Sequence, residues 1–285
     1  MHDHVHHFDM GLWLLFLAYG VSVVGSVVGL ACTRRSAAAT DERERLRWLA
    51  MAAIAIGGVA IWLMHFIAML GFAVPDSTVR YSLGWTIASA ALSITAVFVG
   101  LVVVGRTVEV GKLLLGGIIM GLAVNLMHYT GMWAMRMQGV VDYDKVLVGL
   151  SILIAIVAAT VALWFTLVLE SRTLRFVAGL VMGVAVVGMH YTGMSAVRVT
   201  VDAAAPVPAG LEVFSFLFPV FVIGLLALAI PIAAVMMSPD RRDIELEEEA
   251  NEWSAESADH ALVPPAPALA PAAPMLSNRG PLPAR

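Results

Sequence analysis

Seven uninterrupted apolar stretches decide which solvent this chain folds in. They run over about 9–31, 48–74, 83–105, 113–135, 146–169, 176–197 and 213–237, and apart from Asp9 at the rim of the first, none holds Asp, Glu, Lys or Arg. A helix needs roughly 20 mainly apolar residues to cross a bilayer, and each stretch is long enough. A water-soluble helix carries a charged face. These carry none, which excludes a soluble bundle. With only 13% of its residues charged, the sequence predicts an all-α integral membrane fold of seven transmembrane helices.

The charges between the spans predict the orientation. Arg34, Arg35, Arg43, Arg45 and Arg47 follow the first span, Arg106 and Lys112 the third, Arg172 and Arg175 the fifth, and Arg241 and Arg242 the seventh. Those alternate connections hold 11 basic residues; the opposite ones hold Arg80, Arg136, Lys145 and Arg198, a total of 4. The positive-inside rule then places the N-terminus outside and the C-terminus in the cytoplasm. Basic residues follow the first span rather than precede it, the wrong polarity for a cleaved signal peptide. Cys32 lies on the cytoplasmic side of that span, against lipidation, and a single cysteine removes disulfides and thiolate metal cages.

Three regions are expected. Residues 1–8 form a His-rich external terminus (His2, His4, His6, His7) able to collect Cu(II) or zinc, or simply solvated. Residues 9–237 form the membrane domain. Residues 238–285, acidic around Glu245 to Glu249 and then Pro/Ala-rich, are expected to be a disordered cytoplasmic tail, because such composition buries little apolar surface. The tail is too short and irregular for a kinase, cyclase or phosphodiesterase domain. No nucleic-acid partner is expected.

Within the membrane domain a repeat recurs three times without gaps: G-[VL]-A-[IV]-x-x-M-H-[FY]-x-x-M, beginning at Gly58, Gly121 and Gly183. Its histidines, His65, His128 and His190, are 63 and 62 residues apart, the length of one helical pair. Six spans therefore group as three tandem two-helix units with a seventh helix added. An even number of spans per unit gives all three the same topology, as parallel repeats about an axis along the membrane normal. Each histidine then lies roughly 10 Å inside the outer surface, at about 1.5 Å of rise per residue.

Met69, Met132 and Met194 follow at i+4 and share a helical face with the histidines. Met64, Met127 and Met189 border that face. Gly58, Gly121 and Gly183 are expected to let a neighbouring helix approach closely. Thioethers are soft ligands that select Cu(I), and imidazole suits copper, zinc and iron; no carboxylate lies near the motifs. Copper is therefore the expected metal, with haem between two histidines a lesser form of the same reading. The alternative is that histidines and methionines only pack and hydrogen-bond between helices. Spacing leaves open whether three helices share one centre.

Met127-His128-Tyr129-Thr130 and Met189-His190-Tyr191-Thr192 resemble the signature of the bacterial MHYT domain, and Met64-His65-Phe66-Ile67 departs from it while keeping Met and His. The resemblance covers about residues 8–237. It implies a sensory module, proposed to bind copper and through it perceive oxygen, carbon monoxide or nitric oxide, often ahead of diguanylate cyclase, phosphodiesterase or kinase domains. Tyr129 and Tyr191 are then expected to flank the metal and tune it. Asn125, one turn before His128, either orients that ring or bonds a neighbouring helix. Arg136 and Arg198 are expected to anchor helix ends at the headgroups. The expected function is a non-enzymatic membrane sensor that signals to a separate cytoplasmic protein. A copper-handling transporter or chaperone, a haem-binding redox protein and a purely structural subunit are the alternatives.

Overall fold

The computed structural model describes residues 8–75, 77–202 and 204–237, together with Glu249 and Trp253. The His-rich terminus before residue 8 and nearly all of the tail lie outside the described residues. Seven helices are long and apolar enough to cross a membrane: α1 (Trp13–Ala38), α2 (Glu42–Met69), α3 (Leu83–Val104), α4 (Val110–Ala134), α5 (Lys145–Val168), α6 (Arg172–Ser195) and α7 (Val213–Met237). Charged residues sit only near their ends. At the Arg-rich end, α1 continues past its apolar stretch through Arg34 and Arg35, and α2 begins at Glu42, six residues before its own. Long basic side chains reach water from such positions, so helical hydrogen bonding outlasts the apolar stretch.

The helices close into a ring. α1 packs on α2 and α6, α3 on α2 and α4, and α5 on α4 and α6. Each unit's first helix thus touches its own partner and the second helix of the preceding unit, which is the contact pattern of three like units about one axis. The predicted grouping into three pairs is what the fold shows. α7 breaks the symmetry by covering α2, which is consequently the most enclosed helix.

α2 is also irregular, with Ile54–Leu63 wound as π-helix. Glycines there let backbone meet backbone. A Cβ on Gly57 would lie 2.8 Å from the Ser93 carbonyl oxygen of α3, and one on Gly25 of α1 would lie 2.6 Å from both Ala55 O and Ala60 N. Backbone groups loosened within a bilayer need internal partners, and Ser93 Oγ supplies one by donating to Gly57 O at 2.7 Å. The wider turns explain a shift in register. Gly121 and Gly183 are tight approach points, to α5 and α1 respectively, as expected, but in the first unit that role falls to Gly57, while Gly58 makes only ordinary contact with Ile94. A π-turn takes up one extra residue, which moves the contact one position back.

Five short strands, β1 (Arg80–Tyr81), β2 (Met135–Arg136), β3 (Gly139–Tyr143), β4 (Val197–Val201) and β5 (Leu211–Glu212), occupy the three connections that follow α2, α4 and α6. β1 pairs antiparallel with both β2 and β5, and β3 pairs antiparallel with β4. All three connections at that end are therefore tied to one another. Asp144 adds to the ties: it accepts from Val146 N and Leu147 N at the start of α5 and from Arg198 of β4 at 2.9 Å. The Arg198 hydrogen bond, then the two backbone amides, hold the exposed Asp144 carboxyl below its usual range near 3.8. A depressed carboxylate stabilises the fold above that range and stops doing so as pH falls through the lowered pKa. Asp144→Asn should therefore lower the melting temperature at about pH 7, with the difference from the parent shrinking as pH falls below the ordinary carboxylate range and vanishing once it lies below the lowered pKa. A gap that persists in acid would show that the charge is not what matters.

Candidate metal centre

His65, His128 and His190 lie four, six and five residues before the ends of α2, α4 and α6, so all three stand at the strand-capped end of the ring. At about 1.5 Å per residue this is roughly 6–9 Å inside the helix ends, somewhat shallower than the spacing of apolar residues suggested. They meet on the axis. His65 Nδ1 is 3.0 Å from His190 Nδ1 and 3.2 Å from His128 Nδ1, and the three ligand atoms all lie within 4.8 Å of one another. Each ring is 0–1% exposed, so water does not reach the cluster. The rings pack edge to face, with centroids 5.0–5.1 Å apart.

Hydrogen bonding alone serves this arrangement poorly. A neutral imidazole has one N–H, and its other nitrogen has one in-plane lone pair. His65 Nδ1 faces two other Nδ1 atoms, so one proton or one lone pair must serve both contacts. His65 Nε2 and His128 Nε2 are buried and have no hydrogen-bond partner; leaving such a group unsatisfied costs about 1–3 kcal/mol. If instead all three protons sit on Nε2, three lone pairs point at one another, which is favourable only around a cation. Metal–nitrogen bonds of about 2.0–2.1 Å give a tetrahedral edge of roughly 3.3 Å, close to the observed separations. The donor set and its spacing fit a metal ion.

The outward edges of two rings press on glycine. A Cβ on Gly131 of α4 would overlap His65 Nε2, and a Cβ on Gly193 of α6 would overlap His128 Nε2. Each of these rings therefore lies in a notch cut into the next unit by a glycine three residues after that unit's own histidine. Neither glycine belongs to the positions that the repeat singles out as helix approach points or ligands. Their signal was visible in Thr130-Gly131 and Thr192-Gly193 directly after the two complete motifs; the first unit has Ala68 at that position.

Aromatic neighbours complete the wall. Phe66, Tyr129 and Tyr191 each meet the preceding histidine edge-on, at 4.9, 5.0 and 5.0 Å between centroids. Phe66 is 2% exposed among Trp62 and Tyr81, an enclosed position that suits a ring without a hydroxyl. Tyr129 OH meets Ser151 Oγ of α5 at 3.1 Å, and Tyr191 stacks on Phe8 at 5.2 Å. Asn125 donates to Ser151 Oγ at 3.1 Å rather than to His128, so of its two expected roles the structure displays interhelical bonding. Met64, Met69, Met127, Met132, Met189 and Met194 are all 1–3% exposed, which places their thioethers in the interior rather than at the lipid. Arg136 stands in β2 and Arg198 in β4, beyond the helix ends.

Comparison with known proteins gives three tandem matches to a family described as the bacterial signalling protein N-terminal repeat, MHYT, at residues 58–117, 121–179 and 183–243. The chain is 40% identical over 184 residues, 62% of its length, to the bifunctional diguanylate cyclase/cyclic di-GMP phosphodiesterase MucR of Pseudomonas aeruginosa, of which it covers 26%. It is 30% identical over 224 residues, 76% of its length, to the signaling protein YkoW of Bacillus subtilis, covering 27% of that protein. It is 32% identical over 201 residues, 68% of its length, to the cyclic di-GMP phosphodiesterase NbdA of Pseudomonas aeruginosa, covering 25%. The chain thus spans about a quarter of the length of these relatives. No solved structure matches it.

Proposed function

The chain belongs to the MHYT family of bacterial signalling repeats, and from that premise we propose that it is a membrane sensor whose receiving element is copper held by His65, His128 and His190. The observation that carries this reading is the convergence of three buried Nδ1 atoms, two pairs of them 3.0 and 3.2 Å apart. Methionines at i−1 and i+4 of each histidine supply soft donors that favour Cu(I) over zinc. Copper held there would supply a redox couple and a coordination position for a diatomic gas. Haem fits less well, because the three rings pack edge to face with centroids 5.0–5.1 Å apart and leave no room for a macrocycle between any two of them.

A cavity of about 40 Å³ supports the gas reading. It is lined mainly by Ile, Val and Ala, with Met120, Met182 and Met189, and it reaches the residue preceding His190. Roughly 10–15 Å³ of such volume admits one water-sized molecule, so a diatomic fits while the apolar wall disfavours water. The same methionines favour a copper-handling role. The remaining wall is aliphatic, however, and offers an ion no imidazole or charge on the way inward.

The signal has a physical route. His65 stands two residues after the π-helical part of α2, whose last residue, Leu63, fills the notch at Gly224 of α7. A change in how tightly His65 is drawn towards the axis would therefore press on the last helix. The relatives named for cyclic di-GMP turnover are longer proteins; for this chain we assign the output to a separate cytoplasmic signalling protein rather than to catalysis by the repeats. Amide exchange along α7 should differ between copper-loaded and copper-free protein. A difference confined to the histidine end would refute the sensor reading while leaving copper binding intact.

The proposal places the histidine end outside. Ser77 Oγ accepts a hydrogen bond from Gln138 N, so the exposed Thr78 beside it is the better position to label. In a Cys32→Ala background, Thr78→Cys should react with an impermeant thiol reagent on intact cells, and Ser171→Cys only after lysis. The reverse pattern would put the metal site on the cytoplasmic side.

A further inference from the structure

Beside the histidine centre the strand-capped end opens into a groove of about 840 Å³ between the last turn of α4, β3 and the start of α5. We propose that this groove is a binding site for a single anionic phospholipid, with its phosphate at Arg136 and Lys145 and its glycerol and upper acyl chain along Met132, Trp133 and the two tyrosines. The inference stands on the groove itself and does not require the copper reading.

Size and charge point the same way. The volume is within the roughly 300–1,000 Å³ usual for sites that enclose a small molecule. Arg136 and Lys145 both line it and both are exposed. Of the acidic residues nearby, Asp144 holds Arg198 and Glu212 holds Arg80, each at 2.9 Å, while Asp142 alternates with the lining residues Val141 and Tyr143 and so stands on the other face of β3, opposite Arg198. Among the described residues, Arg136 and Lys145 enter no ion pair. Two such cations repel a metal ion and attract a phosphate.

The apolar wall selects an amphiphile over a free anion. Trp133 is 64% exposed and stacks on Trp85 at 5.1 Å and 13°, which fixes the indole as a flat apolar surface. Tyr129 and Tyr143 meet edge to face at 5.4 Å and stiffen the other side. Aromatic and basic residues commonly ring a membrane protein at headgroup depth, but a simple anchoring belt lies on a convex surface. Here they line a concavity that reaches Tyr129 and Met132, the residues one and four places after His128. A lipid seated there would press on the helix turn that carries that ring.

The test uses the full chain in detergent micelles and follows tryptophan fluorescence while phosphatidylglycerol or phosphatidylcholine with brominated acyl chains is added. Phosphatidylglycerol should quench saturably at one lipid per chain, with phosphatidylcholine about tenfold weaker or more. Trp133→Phe with Trp85→Phe should remove the saturable part, since the two stacked indoles sit within reach of the same acyl chain. Arg136→Gln with Lys145→Gln should weaken phosphatidylglycerol to the level of phosphatidylcholine. Equal quenching by the two lipids, or an unchanged response in the Arg136/Lys145 double variant, would overturn the proposal. Displacement of the lipid by inorganic phosphate at comparable concentration would also overturn it, identifying a site for soluble anions instead.

Discussion

Alanine at both Gly131 and Gly193 is expected to abolish stoichiometric copper binding in a protein that still inserts into the membrane. The new methyl groups would overlap the Nε2 edges of His65 and His128. Those rings are fully buried and cannot swing aside as a flexible side chain would. Overpacking of this kind costs about 1–3 kcal/mol per site, and any relief comes from moving the rings off the axis. Displacing two of three donors disrupts the cluster. Helix propensity works in the opposite direction, since alanine is the better helix former, so a loss cannot be assigned to the backbone. Gly188→Ala in α6 is the control: nothing lies within 4 Å of its Cβ position, and it should keep both copper and stability. Normal copper content in the Gly131/Gly193 double variant would show that the notches do not position the rings.

The architecture was largely legible from the chain because the bilayer forces it. An apolar run of that length has few other ways to satisfy its backbone, so span number and the pairing of helices followed from residues alone. The repeat placed His65, His128 and His190 at like depth. It could not say whether they met, because that depends on the ring closing, which the contacts of α1 with α6 complete. The strands were missed for a local reason. Val197-Arg-Val-Thr-Val alternates with the period of a strand, but it continues an apolar helix without a break, and short pairings such as Arg80 with Arg136 have no sequence signal at all. The π-helical stretch of α2 was likewise hidden. The repeat pointed to Gly58 as the approach point, and only the positions of Ser93 and Ile94 show that Gly57 takes that role.

The largest effect expected from side-chain chemistry alone belongs to His128→Gln combined with His190→Gln. Glutamine keeps polarity and approximate size, so helix packing and the Tyr129 bond to Ser151 should survive, while two of three ligating nitrogens disappear. The substitutions belong on a chain lacking residues 2–7, whose histidines would otherwise contribute copper of their own. Copper per chain should then be measured by elemental analysis on purified protein, after growth and purification with copper available. A copper centre at these histidines requires stoichiometric copper in the parent and a fall to near background in the folded double variant. A parent without stoichiometric copper, or equal copper in the two proteins, would contradict it.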